Sequence, residues 1–127
     1  MKKIKLSRKS QNRNRMVNNL LTSLILNESV KTTAPKAKAL KSAFQRFSSK
    51  LKSLDDEVNL KRYIARKVYG GAKAKAYDQR AEFVSIAVHK LHNRYGDGTQ
   101  LVQVKTNLRK PASLKIKPEI KEKDDKN

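Results

Sequence analysis

Three groupings of residues have the types needed for chemistry, and each falls short at the next requirement. Asp55, Asp56 and Glu57 are adjacent carboxylates. Acid–base catalysis needs two such groups held in different environments, and no candidate base or metal ligand stands near these. They open a helical run, where acids complement the positive end of the helix dipole, so capping is their expected role. His89 and His92 are the only two histidines. On a helix their i, i+3 spacing would put them on one face, but two ligands without a third acid or thiol do not make a metal site. Phosphate contact or partial exposure is expected instead. Gly70-Gly71 and Gly96-Asp97-Gly98 lack the Lys and Ser/Thr of a phosphate-cradling loop. Cysteine is absent, which removes disulfides, thiolate metal sites and a thiol nucleophile. No enzyme is expected, and no cofactor, metal or small-molecule substrate.

The remaining chemistry is that of fixed positive charge. The chain has 127 residues with 31 Lys and Arg against 11 Asp and Glu, a net charge of +20. Residues 1–53 hold fourteen of the cations against the single acid Glu28, hence +13 of that total. Such a charge repels itself unless a polyanion neutralises it, as nucleic-acid phosphates do by giving up condensed counterions. An anionic membrane surface is the rival polyanion. No apolar run approaches the ~20 residues needed to span a bilayer, and the start, MKKIKLSRKS, lacks the apolar stretch of a signal peptide. No transit peptide is evident ahead of the first folded-looking segment.

The elements that must position these cations can be read in order. Residues 1–13 form a basic arm too poor in apolar residues to fold alone. A helix is expected over about 14–26, with Met16, Val17, Leu20, Leu21, Leu24 and Ile25 at the 3.6-residue period. Residues 29–33, SVKTT, are rich in β-branched side chains and read as a strand, with Val30 and Thr32 on one face and Lys31 and Thr33 on the other. Thr33 is placed to cap a second helix with Pro35 in its first turn. That helix, about 34–54, carries a seam of Leu40, Phe44, Phe47, Leu51 and Leu54. A third follows from Asp55 to the glycine pair, with Leu60, Ile64 and Val68 inward. A fourth is expected over 77–94, burying Phe83, Ile86, Ala87, Leu91 and Arg94 or Tyr95. After a glycine turn come two strands, 99–106 and 112–120, with Val102 and Val104 facing away from Gln103 and Lys105 in the first.

The order is helix–strand–helix–helix–helix–strand–strand. The fold class is α/β (α+β): a small mixed sheet, made of a closing hairpin and residues 29–33, with helices on one face and a lysine-studded face left open. One globular domain is expected over 14–118, with a charged tail at 119–127.

The stretch from residue 5 to 38 resembles the bacterial-type large-subunit ribosomal protein family numbered seventeen. The carrying residues are Leu6-Ser7-Arg8-Lys9, Asn19-Leu20-Leu21-Thr22-Ser23-Leu24-Ile25, Glu28, Val30-Lys31-Thr32-Thr33 and Lys36-Ala37-Lys38. Asn59-Leu60-Lys61-Arg62 and Arg94-Tyr95 continue it, and it covers roughly residues 1–118. The family often has histidine where this chain has Asn14 and Asn27. The resemblance implies a component of the large ribosomal subunit in the cytoplasm of a bacterial-type cell, bound to large-subunit rRNA. It also implies the large-subunit protein numbered thirty-two as a neighbour.

Contact with rRNA phosphates is expected from Lys2, Lys3, Lys5, Arg8, Lys9, Arg13 and Arg15 in and beside the arm. Lys31, Lys36, Lys38 and Lys41 follow, then Arg62 and Arg66, then Lys105, Arg109 and Lys110. Recognition should be of shape and backbone, because A-form RNA hides its major-groove edges. A free, non-sequence-specific nucleoid-type protein would share the charge, but no DNA-reading motif is present.

Overall fold

Apolar side chains at spacings of three and four decide where the longest helix sits. A computed structural model of the chain describes residues 4–109. In it α2, Ala34–Ser53, buries Ala37, Leu40, Phe44, Phe47 and Leu51 along one stripe. The helix α1, Ser10–Asn27, packs Leu21, Leu24 and Ile25 against the same core. It begins four residues before the first periodic apolar side chain would suggest, because its first turn is wholly polar and signals nothing about burial. Between the two helices, β1 spans Ser29–Thr33. Pro35 lies in the first turn of α2, as expected, and Thr33 holds the capping position, although its side chain makes no cap hydrogen bond.

The junction between α1 and β1 is fixed by Glu28. Its φ is +62°, a left-handed conformation that non-glycine residues adopt at a cost. Its N–H donates to the Leu24 carbonyl at 2.8 Å, and its own carbonyl accepts from the Thr106 N–H at 3.0 Å. The one acid among residues 1–53 is therefore a structural joint.

The third helix, α3, spans Glu57–Lys67 and turns Leu60 and Ile64 inward. Asp56 caps it, accepting from the Val58 N–H at 3.1 Å and from Asn59 Nδ2 at 2.7 Å. Replacing Asp56 with Ala removes the side-chain acceptor while leaving the core untouched. Thermal unfolding of D56A should report a loss of about 1 kcal/mol. A change under ~0.3 kcal/mol would show that water replaces the cap.

The element order is as read from the sequence, but its fourth helix and closing hairpin lie elsewhere along the chain. Helix α4 is only Ala72–Asp78. Most of the segment expected to be helical, 77–94, is strand β2, Phe83–Asn93, paired with β3, Gln100–Leu108. The helical reading failed for a physical reason. Phe83 and Ile86 are both buried yet three residues apart, which in a regular strand puts them on opposite faces. A register shift between Phe83 and Ser85 inserts an extra residue and returns both to the helix-covered face. The bulge thus imitates a helical spacing. Of the remaining side chains assigned to the buried face, Ala87 and Leu91 are half-buried, and Arg94 and Tyr95 are exposed.

The sheet has the order β1-β3-β2 and is antiparallel throughout, not mixed. The helices cover the face carrying Val30, Val102, Val104, Ile86 and Phe83. Val102 and Val104 face away from Gln103 and Lys105, as expected. Phe44 of α2 meets Phe83 of β2 edge-to-face, with ring centroids 5.6 Å apart and an 80° interplanar angle. Phe47 stacks on Tyr63 at 5.9 Å, and burial pushes the Tyr63 hydroxyl above its usual pKa. The closing strand expected at 112–120 and the tail lie outside the described residues.

Candidate nucleic-acid interface

Register and helical spacing gather the expected contact residues into separate pairs. Along α1 and the turn that precedes it, Arg8, Asn12, Arg15, Met16, Asn19, Leu20 and Ser23 line an open depression of about 400 Å³. Two guanidiniums and two amides face an apolar floor there. Arg8 is fixed just before the helix by a turn in which its N–H donates to the Lys5 carbonyl at 3.2 Å. Arg13 is half-buried, and its Nη1 donates to the Arg8 carbonyl at 3.3 Å. Lys5 and Lys9 are exposed on either side of that turn.

The uncovered sheet face makes a second group. Lys31 pairs with Gln103, which pairs with His89, so one row across the sheet reads Lys31, Gln103, His89. The next row is Ser29, Lys105, Ala87. Lys31 and Lys105 are therefore diagonal neighbours on one face, and both are exposed. His89 and His92 lie on strand β2 rather than on a helix, with His92 inside the register shift between Lys90 and Asn93, and both are exposed. Among the described residues, no three His, Cys, Asp or Glu side chains come together as a metal site.

On the helices, Lys38 and Lys41 are exposed three residues apart, while Lys36 is half-buried on another side of α2. Arg62 and Arg66 are exposed one turn apart on α3, and Arg109 is exposed just past β3. Lys2, Lys3 and Lys110 lie outside the described residues. Among the described residues the cations thus form local groups on several faces, and no single constellation unites them.

Three ion pairs occur among the described residues. Lys61 meets Glu57 at 2.6 Å, Lys75 meets Glu28 at 3.3 Å, and Arg94 meets Asp97. None of these three cations is among the residues expected to contact phosphate. The Lys61 ammonium holds the Glu57 carboxyl below its usual value, and the carboxylate raises Lys61 in return. Lys61 and Arg80 also approach the Tyr77 ring, at 5.3 and 4.4 Å from its centroid. The i, i+3 spacing of Tyr77 and Arg80 could have signalled that contact; the approach of Lys61 from another helix could not.

Fold and surface together define a small basic α+β protein whose distinctive feature is a charged coat over a complete apolar core. Among the described residues, no helix is long and apolar enough to cross a membrane, and no buried side-chain polar atom lacks a partner. A family model described as Ribosomal protein L17 matches residues 16–115. The large ribosomal subunit protein bL17 of Nautilia profundicola is 33% identical over 101 residues, covering 80% of each chain. The bL17 protein of a Sulfurihydrogenibium species is 36% identical over 99 residues, covering 72% of this chain and 80% of that one. The chain belongs to the ribosomal protein L17 family, and with it to the structural proteins of the large ribosomal subunit.

Proposed function

We propose that the protein binds and scaffolds large-subunit rRNA through contacts between its Lys and Arg side chains and backbone phosphates. The observation that carries this is the cationic surplus. With +20 overall and three ion pairs among the described residues, most of the positive charge has no counterion within the fold. Phosphates brought close by packed RNA helices repel one another, and the coat offsets that repulsion. The Arg8–Arg15 depression and the Lys31–Lys105 sheet face are the two surfaces best placed for it. The role is non-catalytic. The setting is the cytoplasmic ribosome of a bacterial-type cell, and the family resemblance adds the protein numbered thirty-two as a neighbour.

A nucleoid-type protein of equal charge would bind duplex DNA instead. The full-length chain, mixed with large ribosomal subunits in moderate salt and centrifuged, should sediment with the subunits and remain there under excess duplex DNA. Transfer to the DNA would overturn the proposal.

A further inference from the structure

The hairpin between β2 and β3 ends in an aromatic side chain that the fold does not use. Tyr95 is fully exposed, at 103% of the reference value, while the backbone beneath it is tightly held. The Arg94 N–H donates to the Thr99 carbonyl at 2.7 Å, and the Gly98 N–H donates to the Arg94 carbonyl at 3.0 Å. Asp97 accepts from Arg94 Nε at 3.0 Å and from the Thr99 N–H at 3.2 Å, and its second oxygen pairs with the same guanidinium. Arg94 and Thr99 hold the Asp97 carboxyl far below the usual carboxylate range, which favours the charged form that the clamp uses. Gly96 and Gly98 take φ values of +108° and +66°, which the turn requires and glycine permits.

The clamp also sets the chemistry of the tip. Asp97 cancels the charge of Arg94, so the turn presents a flat ring and no net charge from that pair. Tyr95 has an ordinary φ, and the turn would close as well over a small polar residue. A large aromatic surface left in water on a rigid support is the arrangement of a preorganised anchor: a tyrosine side chain has few rotatable bonds to immobilise. In a protein whose partner is RNA, the group that accepts such a ring is a base. Single-stranded loops and bulges offer unstacked bases, and aromatic side chains stack on them whatever their identity.

We infer that Tyr95 stacks on an unpaired base of large-subunit rRNA, fastening the hairpin tip by a contact that is not electrostatic. This rests on the rRNA reading above, and the test separates the two. The chain has no tryptophan, so Tyr95→Trp introduces a unique fluorophore that a stacked base quenches. Full-length wild type, Tyr95→Trp and Tyr95→Ala are titrated with a transcript of large-subunit rRNA over a range of salt concentrations. Tyr95→Trp should bind at least as well as wild type, with its emission quenched on saturation. Tyr95→Ala should bind about tenfold more weakly with the same slope of log affinity against log salt, because no counterion-releasing contact is lost.

Unchanged affinity in Tyr95→Ala and unquenched emission in Tyr95→Trp, with wild-type binding still steep in salt, would overturn the stacking inference and leave the function standing. Emission that responds to intact large subunits but not to the rRNA transcript would overturn it in favour of a protein pocket. Wild type that binds the transcript with no salt dependence would overturn the rRNA reading itself.

Discussion

Phe44→Ala should lower the stability of the protein by about 3–5 kcal/mol, the largest loss expected from any single truncation in the core. Phe44 has no exposed surface and joins α2 to β2 through its edge-to-face contact with Phe83. Truncation removes the transfer free energy of the ring and leaves a void. Leu40 and Phe47, on the same helix, are themselves buried and cannot move in to fill it. The aromatic geometry adds roughly 0.5–1.5 kcal/mol beyond area. Domains of this size are stable by only about 5–15 kcal/mol, so the variant should sit near the edge of folding. Circular dichroism should show its midpoint lowered by more than ~12 °C. The double variant Phe44→Ala/Phe83→Ala should lose less than the sum of the two singles, because each single already breaks the shared contact. Strict additivity would mean that the two rings do not touch and that the placement of β2 against α2 is wrong.

That contact also marks where the sequence stopped being legible. The seam of α2 was plain because Leu40, Phe44, Phe47 and Leu51, all buried, obey one period without interruption, and Leu54 continues it half-buried just past the helix end. The strand SVKTT was plain because β-branched residues sit between a helix-stopping Asn27-Glu28 and a Thr-Ala-Pro start. Residues 83–91 satisfy two templates at once. Phe83, Ile86, Ala87 and Leu91 fit a helix, whereas Val84, Ile86 and Val88 alternate as a strand. Only pairing with β3, whose partners lie 12 to 25 residues further along the chain, decides between them, and the segment read by itself does not contain it. The bulge at Phe83 deepened the ambiguity by placing two buried residues at an odd spacing.

The candidate interface was legible as composition more than as geometry. Charge alone indicated a polyanion, and the opening motifs indicated which family. Which cations are already neutralised was hidden. Glu28 and Lys75 are 47 residues apart, and their pairing follows from the way α4 packs on the end of α1. The diagonal relation of Lys31 to Lys105 depends on a register that the sequence does not state. Tyr95 was drawn into a buried helix face by the same misreading that hid β2; once the hairpin is recognised, its ring stands alone in solvent.

Replacing Arg8, Arg15, Lys31 and Lys105 together with glutamine should weaken binding to large-subunit rRNA by about 10³-fold at ~0.1 M salt. Each phosphate contact contributes ~0.7–0.9 to the slope of log affinity against log salt, so four lost contacts should flatten the slope by about 3. All four side chains are exposed and none belongs to an ion pair among the described residues. Surface exchanges of this kind change stability little, and circular dichroism should show the fold retained. The informative control is Lys61→Gln with Lys75→Gln. Those ammoniums already face Glu57 and Glu28 and have fewer counterions to release, so the slope should move by well under 1. If removing the paired lysines flattens the slope as much per residue as removing the four exposed cations, local contact is not what binds. The coat would then act through total charge alone, and neither the depression on α1 nor the open sheet face would have a claim to be the interface.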